Sequence, residues 1–112
     1  MPPERRGFRF SLKASAEVAP EGAPNATVAA RATELSLHGC FVETPAPFDM
    51  ETLVLVKIFH AGEYFEAKGS VIYVKPKAGM GLTFREVNPH CQSVLQKWVL
   101  TALHKPADAE EG

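Results

Sequence analysis

The sequence predicts a mainly β domain, an antiparallel sandwich or small barrel, with one C-terminal helix packed against it. Three observations carry that reading. Short apolar runs recur with turn residues between them, about every ten residues, as in small antiparallel β domains. Within the runs, apolar side chains alternate at a period of two. After residue 88 the apolar period lengthens to that of an amphipathic helix.

The first run, Phe10 to Val18, alternates imperfectly and stops at Ala19-Pro20-Glu21-Gly22, a turn signal. Thr27 to Leu35 is rich in small and β-branched residues and breaks at Ser36-Leu37-His38-Gly39. Cys40 to Thr44 is a third strand, ended by Pro45 and Pro47, which cannot donate to a ladder. In Leu53 to His60, Val54, Val56 and Ile58 alternate with Leu55, Lys57 and Phe59. Ala61-Gly62-Glu63 then turns the chain into Tyr64 to Val74. There Phe65, Ala67, Gly69, Val71 and Tyr73 are expected to share one face. The loop Pro76-Lys77-Ala78-Gly79 leads into Met80 to Arg85, a sixth strand, and Gly79-Met80-Gly81 reads as its start or a bulge.

Asn88 suits the N-cap of the helix, with Pro89 at the first helical position. Cys91, Val94, Leu95, Trp98, Val99, Ala102 and Leu103 then form one apolar stripe. Trp98 is its anchor, Leu100 falls on the polar face, and Pro106 ends the helix or lies just beyond it.

Composition narrows the function. The 112 residues fit one domain, and 46% hydrophobic with 22% charged residues suffices for a single core. A formal net charge of −1 disfavours a general nucleic-acid binder, so neither DNA nor RNA is an expected partner. No apolar run approaches the ~18 residues of a membrane span, and no secretory leader follows the first charges. Two cysteines make no disulfide framework, and a cytoplasmic location is expected. Charge is nevertheless uneven. Residues 1–13 hold Arg5, Arg6, Arg9 and Lys13 against Glu4, while residues 106–112 hold Asp108, Glu110 and Glu111 with no base.

Enzyme chemistry finds little support. Cys40 and Cys91 lack a Cys-x-x-Cys partner and lie on inferred core faces. His38-x-Cys40 and His90-Cys91 have no spacing that demands a metal. The nucleophile-elbow, phosphate-loop and His-Glu-x-x-His patterns are missing. No catalytic residue, metal or cofactor is expected.

Two short patterns remain. Arg5-x-x-x-Arg9, with Arg6 inside it, places guanidinium forks directly before the first strand, where they suit phosphate and guanine. Glu34-x-Ser36-x-x-Gly39 lies between the second and third strands as a turn, with Gly39 expected to supply a positive φ. Its backbone N–H groups and the Ser36 hydroxyl suit an anion or a base edge, and His38 reads as a surface turn residue.

Taken in order, the two patterns resemble the PilZ domain, a bacterial receptor for the second messenger cyclic di-GMP. That family carries Arg-x-x-x-Arg and then Asp/Asn-x-Ser-x-x-Gly. Gly39 to Thr44, Gly69 to Val74 and Gly79 to Phe84 are similar to the family's phrasing as well, so the resemblance spans residues 4–103. It implies a six-stranded antiparallel β-barrel with one C-terminal α-helix, binding cyclic di-GMP through Arg5, Arg6, Arg9, Glu34, Ser36 and Gly39. Arg5 and Arg9 would clamp guanine and phosphate, and Arg6 would help neutralise the ligand. Glu34 would accept from a guanine edge, while Ser36 and Gly39 would line the barrel side. Glu34 departs from the family's Asp or Asn by one methylene.

The implied organisation is a flexible basic leader at 1–9, a barrel plus helix at 10–104 (helix about 89–104) and an acidic disordered tail at 105–112. The implied mechanism is ordering of the leader over the barrel, read by an unidentified effector protein. The alternative is a degenerate adaptor that binds a protein and no nucleotide; Glu34 is the feature that favours it.

Overall fold

The computed structural model of the protein describes residues 9–103. Six strands succeed one another: β1 (Phe10–Pro20), β2 (Val28–Leu35), β3 (Gly39–Glu43), β4 (Leu53–His60), β5 (Glu63–Lys75) and β6 (Gly79–Val87). A 3-10 turn at Pro24–Ala26 joins β1 to β2, and helix α1 (Pro89–Leu103) completes the fold. All pairings are antiparallel, in the closed order β1-β2-β3-β6-β5-β4. Of sandwich and barrel, the chain adopts the barrel, because β1 pairs along one edge with β2 and along the other with β4. Closure leaves these strands no open edge.

Inward positions keep to the period of two over most of the barrel. Ala14, Ala16 and Val18 of β1 face Val54, Val56 and Ile58 of β4 and Phe65, Ala67 and Val71 of β5 inside the core. Leu35, Val42, Met80 and Leu82 close it from the other wall. The alternation is broken where one strand carries an extra residue. Thr33 has no opposite number on β3, since Ala32 pairs with Val42 and Glu34 with Phe41. Ile72 has none on β6, since Val71 pairs with Leu82 and Tyr73 with Gly81. Each insertion inverts the faces of the residues beyond it. Tyr73 therefore does not share the inner face of Val71 as its spacing suggests; it stands on the outer surface, and Val74 packs toward the core.

Helix α1 begins as its sequence predicts. The Asn88 Oδ1 accepts from the Cys91 N–H at 2.8 Å, satisfying one of the first-turn donors. Cys91, Val94, Leu95, Trp98 and Val99 are buried, but Leu103 is half exposed. The covered stripe thus ends one turn earlier than its period implies, because the core receives the helix only as far as Val99. Trp98 packs on Phe65 and meets the His60 ring edge-on at 5.1 Å. Its Nε1 donates to Glu63 at 3.3 Å, and Lys97 pairs with the same carboxylate at 2.7 Å. The start of β5 and the helix are thereby tied by one polar group.

Close approach of β3 to β6 demands glycine at Gly39, where a Cβ would lie 2.1 Å from the Leu82 carbonyl oxygen. Gly39→Ala should cost about 2 kcal/mol in urea unfolding, whereas Gly22→Ala, with nothing within 4 Å, should be close to neutral. The Glu63 link should be visible in Trp98 fluorescence. The hydrogen bond from Lys97, helped by the charges of Lys97 and His90 and the Trp98 donor, holds the Glu63 carboxyl below its usual 4.5. A lowered folded pKa keeps the link intact above that value and releases it as pH falls through it. Trp98 emission should change with a midpoint below 4.5, and Glu63→Gln should abolish the transition.

Candidate functional site

The two sequence patterns converge at one end of the β1–β2 pair. Ser11 pairs with Glu34, so Arg9, two residues before Ser11, lies beside the end of β2. The Arg9 Nη1 donates to the Glu34 Oε1 at 3.5 Å. Both side chains are largely exposed, at 64% and 48%. An ion pair this exposed contributes at most about 1 kcal/mol, so it orients Arg9 without locking it. Glu34 is available there because of the Thr33 insertion. Ala32 and Leu35 are both fully buried, and strict alternation between them would send one of the pair outward. Arg5 and Arg6 lie outside the described residues.

Ser36 and Gly39 are brought to the same corner, in a different role from that of an exposed contact. Ser36 is only 6% exposed. Its N–H donates to the Gly39 carbonyl at 2.9 Å, its Oγ accepts from the His38 N–H at 3.1 Å, and its hydroxyl reaches the Gly39 carbonyl at 3.4 Å. The His38 carbonyl in turn accepts from the Phe84 N–H at 2.8 Å and from Thr83 Oγ1 at 3.3 Å. The turn therefore joins β2, β3 and β6. Gly39 does not take the positive φ expected of it; the crowding against Leu82 is what requires it. His38 is exposed at the turn, as its position suggests.

Beside this corner lies a feature that the sequence reading missed. Phe41, the partner of Glu34 across the ladder, lies nearly parallel to Tyr73, with ring centroids 6.1 Å apart at 19°. The Phe41 ring lies over Gly79 and the Tyr73 ring over Gly81, so close that a Cβ at either glycine would fall within 3 Å of the ring. Lys75 Nζ is 5.4 Å from the centre of the Phe41 ring. The available signal was Gly-Met-Gly at 79–81, which leaves two bare outward positions on one strand for neighbouring rings to cover.

The thiols offer no reactive centre here. Cys40 and Cys91 are free and buried, and burial pushes the Cys40 thiol up to about 12, so it stays protonated at neutral pH. Among the described residues, no group of three or more His, Cys, Asp or Glu side chains is placed to hold a metal ion. No helix among them is long and apolar enough to cross a membrane.

Comparison with known proteins agrees with this architecture. The PilZ domain of YcgR from Escherichia coli, solved with c-di-GMP, is 18% identical with a TM-score of 0.76, covering 96% of this chain and 97% of that one. The Bacillus subtilis inhibitor of motility MotI/DgrA is 19% identical with a TM-score of 0.74, covering 94% of this chain. The present chain spans only 58% of the length of MotI/DgrA. The PilZ domain of CeSA from a cellulose-synthesizing bacterium is 20% identical with a TM-score of 0.67, covering 87% of this chain and 99% of that one. No curated protein sequence matches the chain. The PilZ domain family model matches residues 3–101, nearly the whole chain, and the protein belongs to the PilZ domain family.

Proposed function

We propose that the chain is a non-catalytic receptor module for cyclic di-GMP. The observation that carries this reading is the meeting of Arg9 and Glu34. They come from separate motifs 25 residues apart and touch on the outer face of the barrel. A cyclic dinucleotide presents two phosphates and two guanines. The Arg9 fork suits a phosphate or the guanine O6 and N7 acceptors. The Glu34 carboxylate suits the guanine N1–H and N2–H donors. The exposed contact between the two residues exchanges for ligand at little cost. Family membership and the c-di-GMP complex of a structural neighbour support the same ligand.

In this reading Arg5 and Arg6 complete the cationic clamp, while Ser36 and Gly39 hold the turn on which the ligand rests. Residues 1–9 act as a leader drawn over the barrel formed by residues 10–104, and residues 105–112 serve as an acidic tail. The altered surface is read by an effector protein in the cytoplasm, and no bond is made or broken. Glu34 also favours a second reading, an adaptor that binds a protein without nucleotide, because its side chain is one methylene longer than the family's Asp or Asn.

Isothermal titration calorimetry separates the two. Saturable binding of cyclic di-GMP by the full chain is expected, weakened at least tenfold by Arg9→Ala, the scale of a lost charged hydrogen bond of about 1.5–3 kcal/mol. Glu34→Asp should retain binding, since it restores the family's carboxylate. A folded chain that gives no heat with cyclic di-GMP would sink the receptor reading and leave the adaptor.

A further inference from the structure

The Phe41–Tyr73 pair belongs to neither motif, yet it shares a single cross-strand row with the site. Ser11 pairs with Glu34, Glu34 with Phe41, Phe41 with Gly81, and Gly81 with Tyr73. Side chains directly opposite one another across a ladder share a face with Cβ atoms about 5 Å apart. Whatever rests on Glu34 therefore borders Phe41. From Glu34 on β2 to Tyr73 on β5 the row crosses three strand intervals, about 14 Å at the usual spacing. That width accommodates one nucleotide on Arg9 and Glu34 and a covalently linked neighbour beside it.

We infer that Phe41 and Tyr73 form a stacking floor for a purine base of the bound dinucleotide, with Lys75 as the cation for an adjoining phosphate; this rests on the cyclic di-GMP reading above. The rings lie flat over Gly79 and Gly81, so each turns one face to the barrel and the other outward. Tyr73 is 39% exposed. Flat aromatic faces of this kind take up bases by stacking, whatever the base's hydrogen-bonding edge. Lys75 lies over the Phe41 ring in the free protein, where the ring's quadrupole attracts its ammonium. An arriving base takes that place on the ring and moves the ammonium to the rim, where phosphate charge collects. Lys75 and Arg9 thus stand at different ends of the row, one beside the rings and the other beside Glu34.

A floor for a base and a mere cover for two glycines predict different results. Cyclic di-GMP would be titrated into the full chain, Arg9→Ala, Phe41→Leu, Tyr73→Leu and Lys75→Met, with a thermal melt for each. Leucine keeps apolar cover without a π face, and methionine keeps the lysine stem without its charge. Phe41→Leu and Tyr73→Leu should each weaken binding about tenfold, in keeping with the loss of one stacking contact. Lys75→Met should weaken it about threefold and reduce its dependence on salt. In the wild-type complex, the ring protons of Phe41 and Tyr73 should shift and show NOEs to guanine H8. Should the wild type bind and Arg9→Ala fail while the leucine variants bind normally and the rings show no NOE, the floor is overturned and the receptor reading stands. Absence of binding by the wild type would overturn both. If a leucine variant unfolds, the wild-type NOEs alone decide.

Discussion

Two of this barrel's single-residue insertions, Thr33 in β2 and Ile72 in β5, govern which side chains it presents along the outer row from Glu34 to Tyr73. A strand alternates its faces strictly, so one extra residue inverts everything beyond it. At Thr33 the inversion lets Ala32 and Leu35 both enter the core and turns Glu34 outward beside Arg9. At Ile72 it lets Val71 and Val74 both face inward and turns Tyr73 out over Gly81. Burying the Glu34 carboxylate among Leu35, Val42 and Leu82 would carry a heavy desolvation cost, so the core itself favours the register that turns Glu34 outward. The residues that follow the two insertions, Glu34 and Tyr73, fall on one cross-strand row, which is why charged and aromatic side chains share a single outer face.

The turn from Ser36 to Gly39 has a related economy of parts. Its serine is committed to the backbone of the turn, and its glycine to the narrow gap beside Leu82. Two residues of the second motif thus help to hold β2, β3 and β6 together. The spacing of this turn is set by the strands it joins, and its hydrogen bonds fix the corner beside Glu34. At the other side of the molecule, Glu63 joins β5 to Lys97 and Trp98, so the helix is seated by a polar tie as well as by its apolar stripe.

Electrostatics at the outer face are local. The whole chain is nearly neutral, yet Arg9 and Lys75 lie along the row with Glu34 between Arg9 and the rings. The contacts that hold these cations in the free protein, an exposed ion pair and a cation over a ring, are weak on the scale of a charged ligand's hydrogen bonds. Such contacts keep side chains in place and yield readily to a stronger partner. Cys40, beside Phe41 in sequence but on the opposite face, shows the contrast: burial leaves its thiol protonated and without a charge to offer.

Much of the architecture was legible in the sequence because it depends on neighbours in the chain. The alternation of Val54, Val56 and Ile58 marked β4, and Asn88-Pro89 marked the start of α1, since strand period and helix capping are local properties. The order of the two motifs likewise pointed to the family and to Arg9 and Glu34 as separate candidate contacts, and the fold is what brings those two together. What the tertiary structure alone decided was everything that depends on how the strands pair and pack. Barrel closure through β1 and β4, the outward turn of Tyr73, the burial of Ser36 and the early end of the helix's covered stripe are of this kind. A bulge is defined by the residues across the ladder, and a glycine's necessity by the atom it must avoid. β3 follows β2 directly, yet the register that leaves Thr33 unopposed is set only when the two strands pair, and the Leu82 carbonyl that Gly39 must avoid lies far along the chain.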